Sequence, residues 1–195
     1  MIPVEAFASH LVPCTIRDYT PADHEACVAV YASHVPQTYP EAVMEGCLAF
    51  LQEGTSYHLV LEHESRIIGC AGLEVRGEGP FAHLVFGFIH RDYQGRGFGT
   101  TLLAARLSLI GHEGQVIAVQ LEVEGPIAPF YERFGFELAG VRPGRLDVKQ
   151  ASGEWVLKVR PEEIDLLGRL LAERGVVIQL TDPSVEYAET EDFEE

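Results

Sequence analysis

The sequence lacks the long apolar runs and the basic leader that mark membrane-spanning and exported proteins. No stretch of its 195 residues approaches about 18 consecutive apolar side chains, and residues 1–11 contain no basic segment followed by a sustained apolar one. We therefore expect a soluble, non-exported, cytoplasmic protein without a membrane partner.

Groupings of metal ligands are also missing from the sequence. Its four cysteines are widely spaced, without a C-x-x-C pair or a neighbouring His or Asp pattern of ligand spacing, and its eight histidines are scattered. None of the cysteines stands in a recognised nucleophile motif. These features predict reduced, partly buried thiols and no metal site.

Basic residues are scarce, with 14 Lys and Arg against 30 Asp and Glu, and the net charge is −16. Residues 162–195 hold eleven acidic residues and two arginines, a net −9. Because no basic face opposes phosphates, a nucleic-acid partner is disfavoured. The acidity serves solubility in the first place, and it also suits a cationic amine substrate.

The composition is that of a core-forming chain, with 47% hydrophobic and 23% charged residues, and the length suits one domain. We expect that domain to cover residues 1–160. A C-terminal helix and a short strand over residues 161–181 should pack on it, and residues 182–195 should form a flexible acidic tail.

Hydrophobic periodicity and turn residues predict a chain of strands and helices. Successive hairpins in its first half indicate antiparallel pairing. The predicted strands cover residues 14–18, 56–62, 65–76, 81–90, 115–123, 137–142, 155–159 and 176–180. The predicted helices cover residues 20–33, 40–52, 127–134 and 161–174, together with a helix that ends at Gly111.

A glycine-rich turn joins the strand predicted over Phe81–Ile89 to the helix that ends at Gly111. Its glycines fall at positions 95, 97 and 99, a spacing that fits neither G-x-x-x-x-G-K-[ST] nor G-x-G-x-x-G. The start of a helix leaves backbone N–H groups free at the positive end of the helix dipole. A tight turn there predicts a cradle for a phosphate or pyrophosphate.

Two motifs in this chain resemble those of the GNAT acetyltransferase superfamily. Gln94-x-x-Gly97-x-Gly99 is similar to the signature Q/R-x-x-G-x-G/A, and residues 130–136, FYERFGF, are similar to the later F-Y-x-x-x-G-F segment. The resemblance extends over about residues 15–159. It implies an α/β (α+β) fold with a mixed, mostly antiparallel sheet of six or seven strands, flanked by helices and splayed into a V between the fourth and fifth strands.

The resemblance further implies acetyl-CoA, or a related acyl-CoA, as the acyl donor. Its pyrophosphate is expected on the backbone amides of the glycine turn, and its pantetheine along residues 88–90, where a backbone N–H near Ile89 polarises the thioester carbonyl. Arg96 and Thr100 are expected to add side-chain contacts. The predicted cofactor-binding residues are Phe88, Ile89, His90, Gln94, Gly95, Arg96, Gly97, Phe98, Gly99, Thr100, Phe130 and Phe134.

The acceptor amine must lose a proton, which costs roughly 4–5 kcal/mol at pH 7 for an alkylamine. His83 stands where the resembled yeast-type histone acetyltransferases have a Glu, on a face predicted to be shared with Val85, Gly87 and Ile89. Rival bases are Glu74, Glu122 and Glu124, and a water relay is a further option. Tyr131 matches the family tyrosine that protonates the departing thiolate.

The function implied is N-acetyl transfer to a primary amine by direct attack through a tetrahedral intermediate. The acceptor is expected to be a small-molecule or peptide amine that contacts His34 and Tyr39, in the position of the family's variable substrate-facing loop. A homodimer is a further expectation. Two alternatives stay open: a non-catalytic CoA-binding regulatory module, and an acyltransferase that acts on oxygen or uses another acyl-CoA.

Overall fold

The computed structural model describes residues 2–53, 57–75, 81–110, 116–122, 126–142 and 152–180. The predicted helix end at Gly111, the rival base Glu124 and the acidic tail over residues 182–195 lie outside these ranges. None of the helices in the ranges is long and apolar enough to cross a membrane.

Strands and helices follow the order predicted from the sequence, with one addition at the N-terminus. The elements are α1 (Val4–Ala8), β1 (Thr15–Asp18), α2 (His24–Ala32), α3 (Glu41–Glu53), β2 (Tyr57–His63), β3 (Arg66–Val75), β4 (Phe81–Ile89), α4 (Phe98–Ser108), β5 (Val116–Glu122), α5 (Ala128–Glu132), β6 (Glu137–Arg142), β7 (Ser152–Lys158), α6 (Pro161–Glu173) and β8 (Val177–Gln179). Helix α1 was not predicted, because its five residues are too few to show a helical period.

The strands form one mixed sheet in the order β6-β7-β5-β4-β3-β2-β1-β8. All neighbours pair antiparallel except β4 with β5 and β1 with β8, which are parallel. The mixed, mostly antiparallel architecture is therefore confirmed. The described chain has eight strands rather than six or seven, because the short C-terminal strand β8 extends the sheet beyond β1.

Strands β4 and β5 diverge halfway along their length. Their pairing runs from Phe81 opposite Val116 to Leu84 opposite Val119, although β4 continues to Ile89. Residues 85–89 consequently have no β5 partner in the described ranges. This opening is the V-shaped splay predicted between the fourth and fifth strands.

A β-bulge in β4 changes which side chains share a face. Gly72 of β3 pairs with Val85 and Cys70 with Phe88, so β4 carries an extra residue here, and Phe86 has a positive φ of 44°. The extra residue reverses the alternation of side chains between the two faces of the sheet, because it moves every later side chain of β4 to the other face.

The prediction that His83, Val85, Gly87 and Ile89 share one face is therefore wrong. Val85 lies beside Phe50 of α3, whereas Gly87 faces Arg106 of α4. Ile89 also packs on the α4 side, together with Ala82 and Leu84. His83 and Val85 thus lie on the face covered by α2 and α3, and Gly87 and Ile89 lie on the opposite face.

Two cores flank the sheet. Helix α4 is buried along most of its length between β4 and β3 on one side and α6 and α1 on the other. The smaller core lies under α2 and α3 and contains Cys27, Cys47 and Cys70. All four cysteines are free, as predicted, and they are buried rather than only partly buried. Burial raises the pKa of Cys14 and Cys47 to about 12 and that of Cys70 well above its usual range.

A carboxylate cluster at the start of α2 ties the helix to β1. Asp23 accepts two hydrogen bonds from the Arg17 guanidinium, at 2.8 and 2.9 Å, and two from the backbone N–H and hydroxyl of Thr20. These donors, the Arg17 guanidinium foremost, hold the pKa of Asp23 at about 2. The ionised carboxylate therefore stabilises the fold.

We expect Asp23→Asn to lower the free energy of unfolding at pH 7 by about 2 kcal/mol. Because the native pKa is lowered, this contribution is present above the unfolded pKa near 4 and is lost as the pH falls toward 2. Urea unfolding at pH 7, 4 and 2 measures it, with the exposed Glu25→Gln on the same helix as control. A difference that stays constant across this pH range would contradict the assignment.

Candidate active site

The glycine turn adopts a backbone shape that only glycine takes without strain. Gly95 and Gly97 have φ values of 72° and 94°, and the Gly97 carbonyl accepts from the Thr101 N–H, so Gly97 caps the start of α4. A Cβ at Gly97 would overlap the carbonyl oxygen of His10. The turn therefore depends on close contact with the N-terminal segment.

That N-terminal segment is fastened to α4 by a hydrogen bond. The Val12 N–H donates to the Thr101 hydroxyl at 3.0 Å, and the same hydroxyl donates to the Gly97 carbonyl at 3.2 Å. Residues before β1 thus hold the turn in place, although the sequence pattern gave them no role.

Six consecutive backbone N–H groups in the turn have no acceptor. Those of residues 95–100 donate to no other group in the described part of the chain. Three of them belong to the first turn of α4, at the positive end of its dipole. Such a row of free donors binds an anion, and a phosphate or pyrophosphate suits its extent.

Two arginines flank this row of donors. The exposed Arg96 lies over the ring of Tyr93, 5.3 Å from its centroid. Arg133 donates to the buried Thr100 hydroxyl at 3.4 Å, and its guanidinium lies 4.7 Å from the centroid of Phe134. The Thr100 hydroxyl is thus bound within the chain, and Arg133 supplies the cation at this point.

Sequence reasoning missed Arg133 as a candidate ligand-binding residue. It occupies a variable position of the F-Y-x-x-x-G-F segment, so the motif itself does not single it out. Only the packing of α5 beside α4 indicates it: the Phe130 ring stands beside Gly99, and Arg133, three residues later on the same helix face, reaches Thr100.

Of the aromatic residues predicted to bind the cofactor, Phe130 faces the turn, whereas Phe98 and Phe134 are buried in the core. The Phe130 ring lies against Gly99, at the mouth of the turn. Phe134 is fully buried, with its ring centroid 4.2 Å from that of Phe7 and 5.1 Å from that of Phe130. The Phe98 side chain is buried against His63, so this residue offers its backbone N–H to a ligand.

The end of β4 presents backbone groups toward the edge that β5 has left. The His90 N–H donates to the Ile68 carbonyl on β3 at 2.7 Å. Because successive residues of a strand direct their backbone groups to opposite edges, the Ile89 N–H and carbonyl point away from β3. The Ile89 carbonyl accepts from His34 Nε2 at 2.9 Å and from Gln94 Nε2 at 3.5 Å.

The bond to Ile89 fixes the tautomer of His34. A carbonyl only accepts, so Nε2 carries the hydrogen and Nδ1 keeps its lone pair in the neutral ring. Burial lowers the pKa of His34, which keeps the ring neutral at pH 7.

An aromatic cluster covers the end of β4 on the α2 and α3 face. The Phe88 ring meets Tyr31, His34 and Tyr39 at centroid distances of 5.1, 5.3 and 5.5 Å. These four residues line a narrow pocket together with side chains of α3. The two residues predicted to contact an acceptor therefore lie directly on Phe88, which was predicted to contact pantetheine.

The predicted bases occupy different strands. His83 on β4 pairs directly with Glu74 on β3, and both are half-buried. Glu122 lies at the last position of β5, opposite Ser152 of β7. The structure thus brings the first-choice base and one rival together and leaves the other rival across the splay.

Tyr131 lies on α5, next to the Phe130 ring that adjoins the turn. It is 6% exposed, and its ring meets Phe136 edge-on at a centroid distance of 5.2 Å. Its hydroxyl makes no hydrogen bond to the residues that the structure describes. That hydroxyl is consequently available to a ligand.

No group of three or more His, Cys, Asp or Glu side chains with metal-binding geometry occurs in the described ranges. The groups that the site offers to a ligand are backbone donors, arginines and aromatic rings.

A comparison with known proteins finds a family model that matches the chain from β2 to the start of β6. The model of the acetyltransferase (GNAT) domain matches residues 54–138. The serotonin N-acetyltransferase of Mesocricetus auratus is 37% identical over 65 residues, which cover 33% of this chain and 31% of that protein. The match thus spans about a third of the length of this curated relative.

Solved structures share the fold at low sequence identity. The ribosomal-protein-S18-alanine N-acetyltransferase from Escherichia coli has a TM-score of 0.61 at 19% identity, over 75% of this chain and 94% of that chain. The PaiA N-acetyltransferase from Thermoplasma acidophilum, solved in complex with coenzyme A, has a TM-score of 0.59 at 16% identity, over 76% of this chain and 100% of that chain.

The two glycines of the turn give a matched test of its geometry. We expect Gly95→Ala, which meets only open space, to lower the free energy of unfolding by about 1 kcal/mol through its positive φ. Gly97→Ala adds a clash with backbone, and we expect a loss of about 3 kcal/mol. Chemical denaturation measures both, and equal losses would contradict the contact between Gly97 and His10.

Proposed function

We propose, from the match of residues 54–138 to the model of the acetyltransferase (GNAT) domain, that this chain transfers the acetyl group of acetyl-CoA to a primary amine. The observation that carries the proposal is the row of six unbonded N–H groups at residues 95–100, beside the opening between β4 and β5. An anion cradle next to an unpaired strand edge suits a donor that joins a pyrophosphate to an amide-containing arm.

In this proposal the pyrophosphate of the donor lies on the N–H groups of residues 95–100. Arg96 and Arg133 add positive charge on either side, and Phe130 forms the wall. Gln94 and His90 border the same turn, and the bound coenzyme A of the PaiA neighbour supports a CoA ligand for this fold.

The pantetheine arm lies along residues 85–89 and takes the place that β5 leaves open. Its amides pair with the free edge of β4 as an added strand would. One of the N–H groups that residues 85–89 direct toward the opening, as Ile89 directs its own, donates to the thioester carbonyl oxygen and stabilises the oxyanion that forms there.

The acceptor amine enters on the α2 and α3 face, where His34, Tyr39 and Phe88 meet. Because of the bulge, His83 shares that face with Phe88, and it takes the proton from the ammonium group, directly or through water. Glu74, its partner across the ladder, is the next candidate, and Glu122 is the third.

The chemistry then needs one bond to form and one to break. The neutral amine attacks the thioester carbon, and a C–N bond forms as the oxyanion develops. The C–S bond breaks when the oxyanion collapses, and the thiolate takes a proton from the Tyr131 hydroxyl. The attacking nitrogen loses its second proton as the amide forms, and that proton returns to the Tyr131 oxygen through water. A phenol remains protonated at pH 7 and has that proton to give.

Ligand-induced stabilisation is the first test. We expect acetyl-CoA and CoA at about 100 times their dissociation constants to add roughly 2.7 kcal/mol to the free energy of unfolding, and NAD to add nothing. Thermal unfolding of the full chain measures the shift. No shift with either CoA ligand would refute the proposal, and a shift without turnover of any amine would support a regulatory CoA-binding module instead.

Two variants test the roles of the proton-transfer groups. We expect Tyr131→Phe and His83→Ala each to lower kcat about 100-fold while the stabilisation by acetyl-CoA is retained. Initial rates with spermidine, lysine and an alanine-starting peptide supply the measurement. Tyr19→Phe, a tyrosine near β1 outside the site, is the control. Wild-type rates in either variant would remove that residue from the mechanism.

A further inference from the structure

A buried arginine beneath the site has two guanidinium nitrogens that find no hydrogen-bond partner in the described part of the chain. Arg106 stands in the last turn of α4 and is only 3% exposed. Its Nε and Nη1 atoms are buried and have no hydrogen-bond partner among the residues that the structure describes. A desolvated guanidinium left in this state is unfavourable, so such a group marks a place where an anion binds.

The guanidinium lies against the unpaired half of β4. A Cβ built on Gly87 would stand 2.8 Å from Nη2 and 3.1 Å from Nη1 of Arg106. Gly87 itself is exposed and belongs to residues 85–89, which β5 does not cover. The missing side chain at Gly87 therefore leaves the guanidinium within reach of the opening, two residues before Ile89.

The Arg106 guanidinium is suited to bind a carboxylate. A guanidinium presents parallel N–H donors that match the two oxygens of a carboxylate, and the pair is strongest where water is excluded. The six N–H groups of the turn already accommodate the pyrophosphate at the other end of α4. A second anionic group on the substrate is therefore what Arg106 would bind.

We propose that Arg106 binds a carboxylate carried by the substrate, so that the enzyme favours an acyl-CoA whose acyl group ends in a carboxylate. This inference rests on the proposed acyl transfer. Gly87 and Arg106 lie on the α4 face of β4, whereas His34, Tyr39 and Phe88 lie on the other face. The carboxylate thus belongs to the acyl donor, and a carboxylate on the acceptor amine is the second source.

Matched substrates separate these two sources. The donor arm compares succinyl-CoA with butyryl-CoA and malonyl-CoA with propionyl-CoA, using one amine. The acceptor arm compares lysine with cadaverine, using acetyl-CoA. We expect wild-type kcat/KM, and the affinity measured by calorimetry without an acceptor, to favour the carboxylate-bearing donor by at least about tenfold.

The variants are chosen to keep the test independent of folding. We expect Arg106→Met to abolish the preference, while Arg169→Met, an exposed arginine on α6, retains it. Gly87→Ala keeps the charge of Arg106 but displaces its guanidinium. We expect this second variant also to reduce the preference for the carboxylate-bearing donor.

The outcomes distinguish this inference from the proposed function. A preference confined to the acceptor arm and lost in Arg106→Met would assign the carboxylate to the amine. Acetyl transfer with no preference in either arm, or a preference that survives in Arg106→Met, would overturn the inference and leave the function standing. A large fall in the melting temperature of ligand-free Arg106→Met would show a partner within the chain and overturn it too. Absence of CoA binding in the wild type would overturn both the proposed function and this inference.

Discussion

The site depends on the point where β5 leaves β4, after Leu84 and Val119. Up to that point the two strands pair in parallel, and beyond it one edge of β4 has no strand partner among the residues that the structure describes. A buried backbone group without a partner is costly, so an opening of this kind persists only where another molecule or a side chain completes the pairing. The His34 and Gln94 side chains already do so for the Ile89 carbonyl.

Helix α4 makes this opening rigid. Its packing between the sheet and α6 fixes the direction of its N-terminus, and the contacts of His10 and Val12 with the glycine turn fix the approach to it. The turn and the strand edge are therefore held by one buried element. A ligand that spans them meets donors already in place and does not have to order them.

The sequence was informative where the controlling interactions are local. The spacing of Gly95, Gly97 and Gly99 between an apolar strand and a helix predicted the turn, because positive φ angles and a free helix start are properties of a few adjacent residues. The strand order of the hairpins and the final helix from Pro161 followed from periodicity and turn residues in the same way.

Features that depend on distant partners were not predictable. Phe86 gives no local sign of a positive φ, so the bulge and the resulting exchange of faces between His83 and Gly87 had to come from the pairing of β3 with β4. Arg106 reads as an ordinary residue of an apolar helix until Gly87 is found against it. Arg133 gains its role only when α5 is packed beside the start of α4.

The reactivity of the buried cysteines toward thiol reagents reports how often each core of the protein opens to solvent. Thiol reagents attack the thiolate, and burial both hides the sulfurs and raises the pKa of Cys14, Cys47 and Cys70 far above neutrality. Cys47 of α3 and Cys70 of β3 belong to the core on the α2 and α3 face of the sheet, whereas Cys14 belongs to the core on the α4 side. The rate at which each sulfur becomes labelled would therefore follow how often its own side of the sheet is uncovered.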